Sequence, residues 1–424
     1  MVGCHLFYCQ FTISFVQEFS KTNSVLTSLF LVNYLTCGYY INTGLMKYYV
    51  LFILFFKATL LAQTQYEFIE SDRLGERQLK IQLPRNYVEN TDQFYPLIVT
   101  LDGDYLFEPV AGNVDFISYW DDMPEAIVVG VNQDKDKAED LKISDEDYFP
   151  IMSGAKFYEF LGAELIPYIV ENYRIGNFKV IVGHGQSANF INFFSFKKDP
   201  LFQAYIAMSP TLSPYMSDNL AKKFMSIKEP LFYYMSTSDE DYNENREGIK
   251  ELDTKLQSIE SKTLFYEFEN FEGHNHYSLV ASAIPEALQH IFKAYRPISR
   301  AEYKDNILKL ESSPVDYLIE KYDMIESFFG IKKQILLNDF RAINAAINSK
   351  ENLDLYKDLA KLARENYPKS LLFNYYMGRY YEATDNPRKA IKVYQEAFVY
   401  DEIDGISIDD LLDQAERLKR ENDY

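Results

Sequence analysis

The sequence predicts an α/β fold, with a mostly parallel sheet and helices on both faces, followed by an all-α, repeat-like domain. Three observations lead there. From Tyr66 to about Arg296, apolar β-branched runs alternate with stretches at helical spacing, the pattern of a sheet built from strand–helix units. Two of those runs, Tyr95–Leu101 and Ala126–Val131, are apolar nearly throughout, as strands covered on both faces are. After Ile298 and Ser299 the strand signals stop, and the rest reads as helix with few Gly or Pro.

Taken in order, the chain begins with residues 1–45, which we read as an over-extended start. Met46 and Lys47 then precede the apolar run Tyr48–Phe56, and Ala58–Ala62 ends in a small residue before the polar Gln63. A positive start, a short apolar centre and a small-residue end form a secretory signal peptide, here residues 46–62. The protein is therefore expected to be exported, to a periplasmic or extracellular location. A pair of membrane anchors over Val25–Tyr39 and Tyr48–Ala62 is the other reading. Both stretches fall short of the about 20 residues a span needs, and Lys57 interrupts the second, so no membrane span is expected in the mature chain. Cys4, Cys9 and Cys37 all lie in this leader, so the mature chain is expected to have no disulfide, thiol nucleophile or cysteine metal ligand.

Residues 63–296 carry the α/β pattern. Gln78–Leu83 alternates polar and apolar, as a half-exposed strand does. Lys156–Tyr173 places Phe157, Phe160, Leu161, Leu165, Ile169 and Val170 on one helical side. Val180–Val182, Ala204–Met208, Leu231–Met235 and Thr263–Phe268 supply further strands. In residues 297–424, Gly378, Tyr381, Ala390, Tyr394 and Ala397 fall at tetratricopeptide-like spacing, although Asn374 and Glu402 stand where that repeat has Trp and Pro. One such repeat cannot bury its apolar face alone. The tail is expected to pack as a cap on the preceding domain, with a peptide-binding groove for a protein partner as the alternative.

The formal charge is −20, and it is spread along the chain. Nucleic acid is excluded as a partner, because phosphate contacts need clustered Lys and Arg. Removing residues 1–62, which hold three Lys and one Glu, takes the charge to −22. No phosphate-cradling or dinucleotide glycine motif is present, and the acidic segment Asp134–Asp147 lacks EF-hand spacing. His274-x-His276 has no third spaced ligand, so no metal and no cofactor are expected.

The chemistry centres on Val180-Ile181-Val182-Gly183-His184-Gly185-Gln186-Ser187-Ala188-Asn189, a strand–turn–helix stretch of the kind that presents a nucleophilic serine at its tip. The tip here is Gly185, which has no side chain. Around it, Leu101–Phe107, Gly130-Val131-Asn132, Glu164–Ile169 and Asp199–Pro210 follow in order. Together, from Pro96 to Leu288, they resemble the esterase branch of the α/β-hydrolases that includes esterase D-like and enterochelin-esterase-like enzymes.

That resemblance implies the α/β-hydrolase fold and a set of site positions. Where the family elbow reads Gly-His-Ser-x-Gly-Gly, this chain has Gly185 for the serine and Ser187 and Ala188 for the two glycines. The family histidine corresponds to His276, followed at the family's spacing by Ser278, with His274 as second choice. The acid falls in Ser238–Asp241, with Asp239 chosen first and Asp241 as the alternative. Backbone N–H groups of Gln186 and of Gly103 would form the oxyanion hole. Acyl transfer needs a hydroxyl at the tip, a base and an oriented acid, and Gly185 removes the first. The expected protein is a pseudo-esterase that acts by binding a small ester or carboxylate ligand or a protein. One alternative is an active ester hydrolase using Ser187, in a register shifted by two residues, with His276 and Asp239. The other is an interaction scaffold working through the helical tail.

Overall fold

The computed structural model describes residues 64–423. The signal peptide, the 1–45 start and the three cysteines lie outside the described residues. Eight strands form one sheet in the order β1-β2-β4-β3-β5-β6-β7-β8. They are β1 (Thr64–Ser71), β2 (Gly75–Gln82), β3 (Tyr95–Thr100), β4 (Ile127–Val131), β5 (Ile175–His184), β6 (Ala204–Met208), β7 (Leu231–Glu240) and β8 (Leu264–Asn275). β1 and β2 form an antiparallel hairpin at one edge, and the strands from β4 through β8 run parallel to one another. The fold is that of the α/β-hydrolases. β1 was not foreseen, and β8 runs seven residues beyond the expected Phe268.

The continuous apolar runs are explained by what lies on each face. Ile98, Val128, Val180, Val182, Ile206, Phe232 and Tyr234 join one core, and their neighbours Leu97, Val99, Ile127, Val129, Ile181, Tyr205 and Tyr233 join another. Alternate residues point to opposite faces, and both faces are covered. The first face is covered by α1 (Gly103–Tyr119) and by a later helix, Leu279–Ile291. The second is covered by α2 (Met152–Phe160), α3 (Ile166–Asn172), the short α4 (Gln186–Ile191), α5 (Met216–Phe224) and α6 (Asn243–Gln257). A π-helical turn, Leu161–Leu165, joins α2 to α3, so the predicted Lys156–Tyr173 helix is one element with a bulge in it.

Leu279–Ile291 is α7, and after it come α8 (Arg300–Asp305), α9 (Pro314–Phe329), α10 (Leu337–Ser349), α11 (Tyr356–Asn366), α12 (Leu372–Ala383), α13 (Pro387–Gln395) and α14 (Ile408–Glu421). Val315, Leu318, Ile325 and Phe329 of α9, with residues of α10 to α12, belong to the same core as the first sheet face. Phe329 lies 5.0 Å from the ring of Phe178 on β5 and 5.2 Å from Phe292 at the end of α7. The described residues accordingly form one compact unit, with no break in packing at 296/297. Among the described residues, Leu371, Ala397 and the apolar faces of α13 and α14 form a small cluster of their own. A side chain at Gly378 would overlap the Tyr394 ring, so this glycine is what lets α12 and α13 approach. None of the described helices is long and apolar enough to cross a membrane.

Candidate active site

The site is assembled at the carboxyl ends of the parallel strands, where open α/β sheets place their ligands. β5 ends at His184, and Gly185 turns the chain into α4 with φ 63° and ψ −117°. An L side chain rarely takes that conformation, and glycine takes it freely. It is also the sharp, strained turn that an elbow requires. Apart from the adjacent residues of the chain, only Nε2 and Cε1 of His276 lie within 4 Å of the point where a Cβ on Gly185 would stand, at 3.5 and 3.6 Å. A serine at this tip would therefore face the imidazole.

His276 follows β8 and is oriented from behind. Its Nδ1 lies 2.8 Å from Oδ1 of Asp241 and 2.9 Å from Oγ of Ser209. Asp241 also accepts from Ser209 Oγ at 2.5 Å, Thr237 Oγ1 at 2.9 Å and the Tyr242 amide at 2.8 Å. Burial pushes the Asp241 carboxyl up, but hydrogen bonds from His276, Ser209, Thr237 and Tyr242 outweigh it, and its pKa falls below the ordinary aspartate value. The result is a charged acid that fixes the proton on Nδ1 and leaves Nε2 with its lone pair toward Gly185. The backbone of His276 is held as well, by His184 Nε2 on its carbonyl at 2.9 Å. The Tyr242 and Tyr277 rings flank the imidazole at 4.6 and 5.0 Å.

Asp239, the first choice from sequence, does not reach this histidine. It still belongs to β7 and turns to the Gly273 amide at 2.9 Å, exposed to solvent. A register shift in the β7–β8 ladder between Ser238 and Glu240 sends the chain inward only at Asp241, which takes the acid position. His274, the second-choice base, also lies elsewhere, bonded to the Glu272 carbonyl and to Ser282.

Ser187 is equally far from the nucleophile role. It is fully buried in the first turn of α4, and its Oγ donates to Asp102 Oδ2 at 2.6 Å while accepting from the His184 amide at 2.8 Å. The two-residue register shift that would aim it at His276 is absent. Ser187 instead braces the elbow against the end of β3. Asp102 is the centre of that brace: it takes a left-handed conformation, is buried, and pairs with Lys137 Nζ at 2.7 Å. Tyr105 completes it, with its hydroxyl 3.0 Å from His184 Nδ1. Burial, with the like-charge effect of His276 added, lowers the His184 pKa to about 4, so that ring is neutral. Gln186 and Gly103 are the first residues of α4 and α1, positions whose amides a helix leaves without an internal partner. The Ser187–Asp102 bond holds those two helix starts side by side.

Ser209, Thr237, Asp102 and Tyr105 were not foreseen as site residues. Ser209 lay in the quoted Met208-Ser209-Pro210 wording, but its role depends on a positive φ of 45° that no pattern announces. A separate cavity of about 440 Å³, lined by Arg85, Glu125 and Tyr295 among others, sits at the opposite ends of the strands and contains none of these groups.

Comparison with known proteins agrees with this geometry. A family described as "Putative esterase" matches residues 71–295. An uncharacterised protein from Capnocytophaga ochracea has a solved structure 32% identical to this chain, with a TM-score of 0.77, covering 84% of this chain and all of that one. That coverage exceeds the 71–295 segment, so the similarity continues into the C-terminal helices. An IroE-like serine hydrolase from Shewanella oneidensis, 20% identical with a TM-score of 0.53, covers 71% of this chain and 99% of its own, and shares the fold. No curated protein matches. With more than half of its length matched and the strand-end constellation in place, the chain belongs to the "Putative esterase" family of α/β-hydrolases.

Proposed function

We propose that this protein is a pseudo-esterase: it forms no acyl-enzyme and acts by holding a small ester or carboxylate ligand at the strand ends. One observation carries the reading. The position that faces His276 is Gly185, and the nearest serine on the elbow, Ser187, is buried and committed to Asp102. Backbone donors and an oriented imidazole remain, so a carbonyl or carboxylate can still be recognised where no hydroxyl can attack it. The helical tail is read as a packing cap and not as a partner-binding module, because most of it shares the core of the sheet. Export through residues 46–62 belongs to the same proposal, and N-terminal sequencing of the product from a secreting host tests it, with Gln63 expected first.

The decisive experiment is turnover of a chromogenic aryl ester by the wild type, Gly185→Ser and Ser187→Ala. Gly185→Ser is expected to gain at least about 10²-fold, since losing a nucleophile costs an intact triad about 10⁶-fold. A wild type that reacts with a fluorophosphonate, or whose turnover disappears in Ser187→Ala, would sink the proposal.

A further inference from the structure

The histidine that faces Gly185 has kept everything a general base needs. Asp241 is buried, charged and satisfied by four donors, so it fixes the proton on Nδ1 and leaves Nε2 as the free acceptor. The imidazole is confined by Tyr242 and Tyr277, and its backbone is tied to His184. Its Nε2 faces Gly185, and apart from the residues adjacent in the chain only the His276 ring comes within 4 Å of the glycine's would-be Cβ. In a serine esterase the base first serves the serine and then a water molecule that hydrolyses the acyl-enzyme. Here the serine is gone, and water is the nucleophile left for the base to serve.

We infer that the His276–Asp241 pair activates water directly, so that the protein hydrolyses esters slowly in one displacement without a covalent intermediate. This rests on the reading that no side chain here attacks the ester. His276 Nε2 takes a proton from water as the water oxygen forms a bond to the ester carbonyl carbon. The carbonyl electron pair moves to oxygen, toward the Gln186 and Gly103 amides. When the carbonyl re-forms, the bond to the alcohol oxygen breaks, and that oxygen leaves with the proton held by His276. The net change is ester plus water to carboxylic acid plus alcohol, and His276 returns to its starting state. His276 is the catalytic residue, and Asp241 and Ser209 position it.

The test uses the purified wild type with p-nitrophenyl acetate. Hydrolysis above the buffer rate is expected, without a burst of p-nitrophenol and with a normal solvent deuterium isotope effect, because a proton moves in the rate-limiting step. His276→Ala and His276→Gln should each lose at least about tenfold, at the low end of what a positioned base supplies. His274→Ala, at a half-buried histidine bonded to Ser282 outside the site, should stay within about twofold of the wild type. Thermal melts establish that the variants fold, and the isotope effect needs no variant. No rate above buffer, or a rate indifferent to both His276 substitutions, would each overturn the inference while leaving the pseudo-esterase reading intact. An isotope effect near unity with a burst would mark attack by the imidazole itself, an acyl-enzyme, and would overturn both. Fluorophosphonate labelling, or dependence on Ser187, would instead overturn the reading on which the inference rests.

Discussion

Asp241 stays charged in a buried position because four donors converge on its two oxygens, and this gives it a function that Asp239, two residues earlier, does not have. The difference is measurable in the Gly185→Ser background. There Asp241→Asn should reduce ester turnover by about 10⁴-fold, the cost of an imidazole held in the wrong tautomer. Asp239→Asn should leave it within about twofold. Steady-state kinetics on one chromogenic ester decides both. Gly185→Ser should also melt earlier, losing about 1–3 kcal/mol, because serine must adopt the φ of 63° that glycine takes without strain. The ordering of Gly185, an acidic loop and His276 was legible in the sequence, since motif order survives in a linear chain. Which aspartate turns inward was not, because a ladder irregularity decides it, and nothing in Ser238–Asp241 records where β7 slips against β8.

The elbow is held as an element by groups that touch no ligand. Ser187 links the first turn of α4 to Asp102, and Ser187→Ala would leave a buried carboxylate one donor short, at about 1–3 kcal/mol in urea unfolding. His184 adds a pH dependence. Its pKa is lowered by burial from 6.5 to about 4, so the unfolded chain takes up the proton first as pH falls. The stability that neutral His184 contributes is complete above about pH 6.5 and is lost as pH falls toward 4, about 3 kcal/mol in all. Asp140 acts in the opposite sense. Burial raises its pKa to about 6 despite Arg77, so its protonation favours the folded state over much of the same range. The readout is therefore the difference between wild type and His184→Gln, measured by urea unfolding from pH 7 to pH 4. The wild type's margin should shrink toward acid, and a margin independent of pH would refute the assignment.

At the scale of the whole molecule, the tail and the sheet share one interior. Phe329 is packed against Phe178 and Phe292, so Phe329→Ala should cost about 3–5 kcal/mol and lower a single transition for the entire described chain. Two separated calorimetric transitions would show instead that the tail folds by itself. The fold class was readable because both faces of the sheet are covered, which turns each strand into an apolar run bounded by helical spacing. The boundary at 296/297 was readable only as a change of secondary structure. Periodicity reports which face of α9 is apolar and says nothing about what that face meets, and here it meets the sheet. The β1–β2 hairpin was half hidden for a related reason: Tyr66 and Phe68 are exposed at the sheet edge, so β1 carries no clean burial pattern.

The turn at Gly185 has a consequence in evolutionary terms. Its backbone still holds the conformation that a nucleophile elbow demands, and the histidine, the acid and the brace behind it are in place. Glycine and serine codons can differ by a single base. A serine at position 185 is therefore one point mutation away, with no loop to rebuild, for as long as Asp241 keeps its donors.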